Sequence, residues 1–337
     1  MKPCSKVGID VTWRCNWKCA HCFYARNAKF HSKEDTPIND VYAKIDKAKA
    51  NGLDHVVFVG QGEPSFCPNT LTIIDYAHSL GMATSIITNG SAPLRVYQEY
   101  YDHGLDHLHI SSHGLGDTLD AIVGCNGAFN KQHKLKEWLK TNNHPFRTNV
   151  TLQQRNYKEL PDLAKYEIDM GVHHFVFLGF LPHYEWYNHV REVAVHPTIL
   201  RPFIEQAADL LIASNTLFTI RYHPFCHLGS QYWKYVVNAR YIQYDPFEWN
   251  YELNVNDLPQ LRKFSIFLGD SVANKCEDCL MRLHCGGWNR IYAQAFRGAE
   301  LQPILGIPPE YQHVWEQEGG LHDMNPANHC TGTLCQT

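Results

Sequence analysis

Long apolar runs are missing from this 337-residue chain, and none approaches the roughly 18 residues that a membrane-spanning helix requires. Long blocks of like charge are missing too. Thirty Lys and Arg against 34 Asp and Glu leave a formal net charge of −4, so no track for nucleic-acid phosphates is offered. Nothing ahead of Cys15 has the basic-then-apolar pattern of a secretory signal, which places the expected setting in the cytoplasm, where thiols stay reduced. Internal repeats, low-complexity tracts and long linkers are also lacking. Hydrophobic residues at 44% and charged ones at 19% then describe a soluble globular protein with a real core.

Against these absences stand 12 cysteines and 21 histidines. Clustered cysteines in a reducing compartment are more often metal ligands or catalytic groups than disulfides. The histidines are scattered, and would add positive charge only below about pH 6.5.

Short β-branched or apolar runs alternate with amphipathic stretches. Strands are expected at Val7–Thr12, His55–Val59, Thr84–Thr88, His107–Ser111, Arg147–Leu152 and His174–Leu178. Helices are expected at Ile38–Asn51, Thr70–Leu80, Leu94–His103, Phe129–Thr141 and Leu160–Met170, with Gly52, Gly81 and Gly171 as stops. This alternation implies an α/β fold with a parallel sheet, either part of a barrel or an open doubly wound sheet, whose chemistry lies on the loops at the strand C-termini. After about residue 180 the rhythm gives way to a segment dense in aromatics and histidines, and then to a second group of cysteines. The expected division is a core over 1–180, a bridging segment over 181–265 that completes or covers the barrel, and a cysteine-rich extension over 266–337.

The first cysteine group is WRCNWKCAHCFY, with Cys15, Cys19 and Cys22 directly after the first strand. The C-x3-C-x2-C spacing suits three thiolates converging on an iron–sulfur cluster that usually takes four, which leaves one iron for another ligand. Zinc would prefer a closed set of four, usually from C-x2-4-C pairs set far apart. The turn GQGEPS (Gly60–Ser65) follows the second strand and so reaches the same rim. A dinucleotide-binding reading of that turn is weak, because Ser65 stands where the third glycine belongs.

These residues resemble the radical S-adenosylmethionine (radical SAM) superfamily, whose signature is C-x3-C-x-aromatic-C after the first strand of a partial (β/α)6 TIM-like barrel. The resemblance implies that Cys15, Cys19 and Cys22 hold a [4Fe–4S] cluster whose open iron is chelated by SAM. His21 occupies the aromatic position, where an imidazole can still stack on adenine. Gly60, Gly62 and Glu63 would face the SAM amino group. Asn89 in TNG, Ser111 and Ser112 in SSH, and Asn149 on the fifth strand are further expected cofactor contacts, with Thr151 beside them. Each of these polar residues read alone is equally an ordinary strand-end turn or cap.

The second group, CEDCLMRLHCGGWN, sets Cys276, Cys279 and Cys285 in a C-x2-C-x5-C pattern. Read alone it is half a zinc ribbon, with Cys330 or His284 completing four ligands. It is similar to the core of the SPASM and twitch extensions of radical SAM enzymes, which implies one auxiliary [4Fe–4S] cluster. Asn289 stands where the fuller SPASM pattern has another cysteine. Cys330 is the expected fourth ligand, ahead of Cys335 and Cys226. Cys226, in HPFC, is also a candidate thiol for giving a hydrogen atom to a substrate radical, although packing is the favoured reading for it.

The resemblance implies an enzyme that reductively cleaves SAM to a 5′-deoxyadenosyl radical and takes hydrogen from its substrate, ending in oxidation, epimerisation or rearrangement. Because the motif begins at Cys15, no N-terminal peptide-recognition domain is expected, which favours a small polar substrate such as a sugar, nucleoside or aminoglycoside-like molecule. A ribosomally made peptide is the alternative. A flavodoxin- or ferredoxin-type protein would supply electrons, with no nucleic-acid or membrane partner. A reading from another class is a non-catalytic metal-binding or redox-sensing protein.

Overall fold

The computed structural model describes residues 6–22, 34–59, 61–182, 189–237, 276–283, 285, 287, 290–296, 301–309 and 312. They fall into two compact units, one of residues from 6–150 and 166–173, the other of residues from 151–165, 174–237 and 276–312.

The first unit is built on β1 (Lys6–Asp10), β2 (His55–Val59), β3 (Ala83–Thr88), β4 (His107–Ser111) and β5 (Phe146–Thr151). Each pairs in parallel with the next, from Lys6↔His55 through His55↔Ala83 and Ser85↔His107 to Ser111↔Asn149. Parallel pairing in sequence order requires a crossover between strands. These are α1 (Ile38–Ala50), α2 (Thr70–Ser79), α3 (Leu94–Asp102), and α4 (Gly116–Val123) with α5 (Ala128–Thr141). All strand C-termini therefore emerge on one edge, which is where the cysteine loop, the GQGEPS turn, TNG and SSH begin.

Local chemistry accounts for the elements. β2 reads HVVFV and is buried at every position, as a strand covered on both faces should be. α1 buries Val41, Ile45 and Ala48, a helical spacing, and its chain reverses at Gly52 with φ +76°. α6 (Leu160–Asp169) ends the same way at Gly171 with φ +80°. The core of the unit joins Val7, Ile9, Val56, Phe58, Ile86, Leu108 and Ile110 of the strands to Ile73, Ile74, Tyr97 and Leu135 of the helices.

In the second unit β6 (His174–Leu178), β7 (Leu217–Arg221) and β8 (Val236–Val237) are parallel, with Val176↔Thr219 and Ile220↔Val236 in register. The short α7 (Val190–Val193) and the long α8 (Pro197–Ala213) lie between β6 and β7. The β–α rhythm thus continues past residue 180, against expectation. Pro197 and Pro202 disguise α8 in the sequence, but Leu200, Ile204, Ala207, Ala208 and Leu211 still form one buried stripe. Of the aromatic segment, Tyr232 and Trp233 are buried, and the Trp233 indole N–H donates to the carbonyls of Phe225 and Leu228, so these rings are core.

Candidate functional site

The cysteine loop leaves β1 and is fastened on two sides. Trp17 is 6% exposed and packs on Leu119, Ile122, Val123 and Ala128, while the backbone N–H groups of Lys18 and Ala20 donate to the carbonyls of Val123 and Ile122 at the end of α4. The last carbonyls of a helix have no partner within it, and here the loop supplies two donors. A turn from Cys22 N–H to the Cys19 carbonyl, 3.0 Å, draws the second and third cysteines together.

On the other side the loop meets the turn after β2. Gly62 N–H donates to the Thr12 carbonyl and Glu63 N–H to the Arg14 carbonyl, at 3.1 and 2.7 Å. A Cβ at residue 62 would lie 2.0 Å from the Arg14 oxygen, so only glycine allows the two backbones this close. Gly60 lies outside the described residues.

Glu63 is 2% exposed and ties that turn to the end of β3. Its Oε1 accepts from the Ser65 N–H and hydroxyl and from the Thr88 hydroxyl, and its Oε2 from the Asn89 N–H at 2.6 Å. Burial pushes its pKa up, while the Thr88, Asn89 and Ser65 donors pull it back. Asn89 continues the chain of contacts, its Nδ2 donating to Asn16 Oδ1 at 3.0 Å and lying 4.0 Å from the Cys15 sulfur. Asn16 in turn donates to the Ser91 hydroxyl.

Further round the rim, Gln132, 1% exposed, donates from one Nε2 to the carbonyls of Asn89 and Ser111 and so clamps the ends of β3 and β4. Ser112 donates its N–H to the Asn149 carbonyl and its hydroxyl accepts from Lys136, whose Nζ also meets Glu167. Asn149 Oδ1 accepts from Arg147. His21 stands edge-on to His113, ring centroids 4.3 Å apart, and burial holds its pKa down to about 4, so the ring is neutral at neutral pH. The loop and the polar residues expected at the ends of β2, β3 and β4 therefore form one connected set. Asn16, Trp17 and Gln132 were missed as its members. Asn16 and Trp17 lie inside the cysteine motif itself, whereas no sequence signal marks Gln132 on α5.

The three thiols also influence one another. One face of Cys15 is open, yet the surrounding protein pushes its pKa up to about 11, with Glu63 and Cys22 adding to the rise. Cys19 is raised further by burial and by Cys22 and Cys15. Thiolates bind metals, and here three thiols and a carboxylate are near enough to influence one another, with Cys15 open to solvent. That donor set suits a group carrying positive charge, as an iron–sulfur cluster bound through three thiolates would.

In the second unit Cys276, Cys279 and Cys285 are linked by Cys279 N–H to the Cys276 carbonyl and Cys285 N–H to the Met281 carbonyl. Gly287 N–H donates to the Cys285 sulfur at 3.4 Å and Ile304 N–H to the Cys279 sulfur at 3.3 Å. Cys226, in a turn after β7, lies among them, its pKa pushed up to about 12 by burial and by Cys285, Cys276 and Cys279, against the pull of the Gln302 N–H. Cys330, Cys335 and His284 lie outside the described residues. Among the described residues, no group of three or more His, Cys, Asp or Glu side chains is arranged to hold a single metal ion.

Residues 9–166 match the family model of the radical SAM superfamily. It is similar to the PqqA peptide cyclase of Bradyrhizobium diazoefficiens, 28% identical over 167 residues, which are 49% of this chain and 43% of that protein. It is also similar to an S-adenosylmethionine-dependent nucleotide dehydratase of Selenomonas ruminantium, 32% identical over 126 residues, 36% of this chain and 44% of the relative. The chain thus spans about half the length of the curated relatives it matches. Among solved structures, Streptococcus suis SuiB bound to S-adenosylmethionine aligns with TM-score 0.54 at 18% identity over 64% of this chain and 50% of SuiB, which supports the partial TIM-like barrel fold. No helix among the described residues is long and apolar enough to cross a membrane.

Proposed function

We propose that the protein is a radical SAM enzyme, with a [4Fe–4S] cluster on Cys15, Cys19 and Cys22, SAM beside it, and one auxiliary [4Fe–4S] cluster on the C-terminal cysteines. The observation that carries this reading is the connected set just described, in which the cysteine loop, Asn16, Asn89 and Glu63 are fastened together at the C-terminal ends of β1, β2 and β3. When bound, the cluster supplies the single electron that cleaves SAM to methionine and a 5′-deoxyadenosyl radical able to take hydrogen from an unactivated carbon.

The chain's own part is positioning. Trp17 and the end of α4 hold the cysteine loop at a fixed height over β1. Gly62 keeps the next turn within backbone distance of it, so that N–H and C=O groups rather than side chains line that approach. Glu63 spends four acceptor contacts on protein donors, of which only one among the described residues is at Oε2, the oxygen assigned to a ligand ammonium group. His21 and His113, both neutral, offer ring faces or edges and no charge.

The substrate proposed first is a small polar molecule, in keeping with the similarity to a nucleotide dehydratase. A peptide substrate is the second reading, favoured by the similarity to a peptide cyclase over 49% of the chain. Anaerobic incubation of cluster-replete protein with SAM and dithionite should yield 5′-deoxyadenosine, and Cys19→Ala should yield none. Complete absence of that product from a cluster-replete sample would refute the enzyme reading and favour a metal-binding or redox-sensing role. Faster product formation with nucleotide or sugar libraries supports the first substrate class, and faster formation with peptides the second.

A further inference from the structure

Cys226 lies 50 residues before the C-terminal cysteine motif. β7 ends at Arg221, and Tyr222 takes a left-handed conformation, φ +57°, unusual for a residue with a side chain. Beside it a Cβ on Gly179 would lie 2.3 Å from the Tyr222 carbonyl oxygen, so glycine is required there for the turn to close. The chain then passes through Pro224 into the short 3-10 turn Phe225–His227, which carries Cys226.

Two chain segments close around this turn. Cys226 and Cys276 both pack against one apolar cluster that includes Phe180, Val190, Ile291 and Leu301. Segment 301–304 runs between the two cysteine-bearing stretches. The N–H of Gln302 faces the Cys226 sulfur, and that of Ile304 donates to the Cys279 sulfur, while the Ile304 carbonyl accepts from Leu280 N–H at 2.8 Å. The exchange is reciprocal, because the N–H of Phe225, next to Cys226, faces the sulfur of Cys285, which also accepts from Gly287 N–H. Three of the four sulfurs, contributed by two distant segments, thus each have a backbone N–H directed at them. Such N–H···S contacts surround the thiolates of iron–sulfur clusters and tune their potential.

We infer that Cys226 is the fourth cysteine of the auxiliary cluster, completing a four-thiolate set with Cys276, Cys279 and Cys285, in place of Cys330. The inference rests on the auxiliary cluster of the proposed function. It has a chemical consequence, since a cysteine sulfur bound to iron has no S–H left to give, so Cys226 is not the hydrogen donor to a substrate radical.

The test uses full-length protein in which Cys15, Cys19 and Cys22 are all alanine, so that only the C-terminal site can carry iron. Anaerobically reconstituted, it should hold about four irons, with a reduced-cluster EPR signal. Adding Cys226→Ala should take iron below about one per chain, whereas adding Cys330→Ala should leave both iron and spectrum as they were. Cys226→Ser, which keeps the volume and an oxygen ligand, should preserve far-UV circular dichroism yet shift the EPR signal. On wild-type protein, alkylation read by mass spectrometry should label Cys226, Cys276, Cys279 and Cys285 only after the cluster is removed. Four irons with an unchanged spectrum in the Cys226→Ala protein, or labelling of Cys226 in reconstituted protein, would overturn the inference. One zinc in place of iron would overturn the cluster and leave the N-terminal triad untouched. A wild type that holds no more iron than the triple variant would instead count against the proposed function and leave Cys226 as inferred.

Discussion

Gly62 and Glu63 carry much of the weight at the scale of single residues. Gly62→Ala forces a methyl group into the Arg14 carbonyl, which is backbone and cannot swing away. The expected cost is about 1–3 kcal/mol of stability, together with loss of iron from the first site, read by urea unfolding and iron assay. Glu63→Gln turns an amide N–H₂ or a single carbonyl towards donors that now meet two carboxylate oxygens. A buried donor left unmatched costs about 1–3 kcal/mol, and the same pair of assays should show it. In the sequence Gly62 is legible as a tight turn, but its reason is not, because the atom it makes room for belongs to residue 14 and only the fold brings the two together. For Glu63 the sequence suggests a ligand contact, and it cannot reveal that four protein donors already hold the carboxylate.

Among the elements, α4 decides how the cysteine loop is held. Its eight residues are too short a window for periodicity, although Leu119, Ile122 and Val123 already have helical spacing. Trp17→Ala should remove the wedge between loop and helix at about 3–5 kcal/mol, and should empty the first site of iron while the C-terminal site keeps its own. α5 and α6 are joined by the fully buried pair Lys136 and Glu167, 2.5 Å apart, with Ser112 and Thr148 as further partners. Lys136→Met leaves a buried carboxylate unpaired and should cost about 3–5 kcal/mol. The double variant Lys136→Met/Glu167→Leu should recover more than half of that in urea unfolding, since two apolar side chains leave no buried charge. Apart from α4, which is not among the helices expected from the sequence, the strands and helices of the first unit were legible to within two residues at each end, because buried β-branched strands and amphipathic helices advertise themselves. The helix Pro197–Ala213 was not, because two prolines read as breakers although both lie in its first two turns.

For the whole molecule the histidines matter more than their scatter suggests. His55, His109, His113 and His223 are buried, and burial holds His55 down to about 2, His223 to about 3, and the other two well below the usual range. Folded protein keeps them neutral while the unfolded chain protonates them near pH 6.5, so their stabilisation is present above that pH and is lost as pH falls towards the folded values. From pH 7.5 to 5.5 each should remove about 1.4 kcal/mol. Urea unfolding should therefore show a steep fall in stability over that range, and His55→Asn should make it shallower by about that amount. An equal slope in both proteins would contradict the burial argument.

The two cysteine groups make the larger claim, that one chain carries a SAM-cleaving cluster and a second, differently ligated one. EPR of dithionite-reduced, anaerobically reconstituted protein with and without SAM tests it most directly. The wild type should show two overlapping signals, of which one changes on adding SAM and is missing from the Cys15→Ala/Cys19→Ala/Cys22→Ala variant, while the other is indifferent to SAM and persists there. A wild-type spectrum that SAM leaves unaltered, or that the triple variant reproduces in full, would contradict the account.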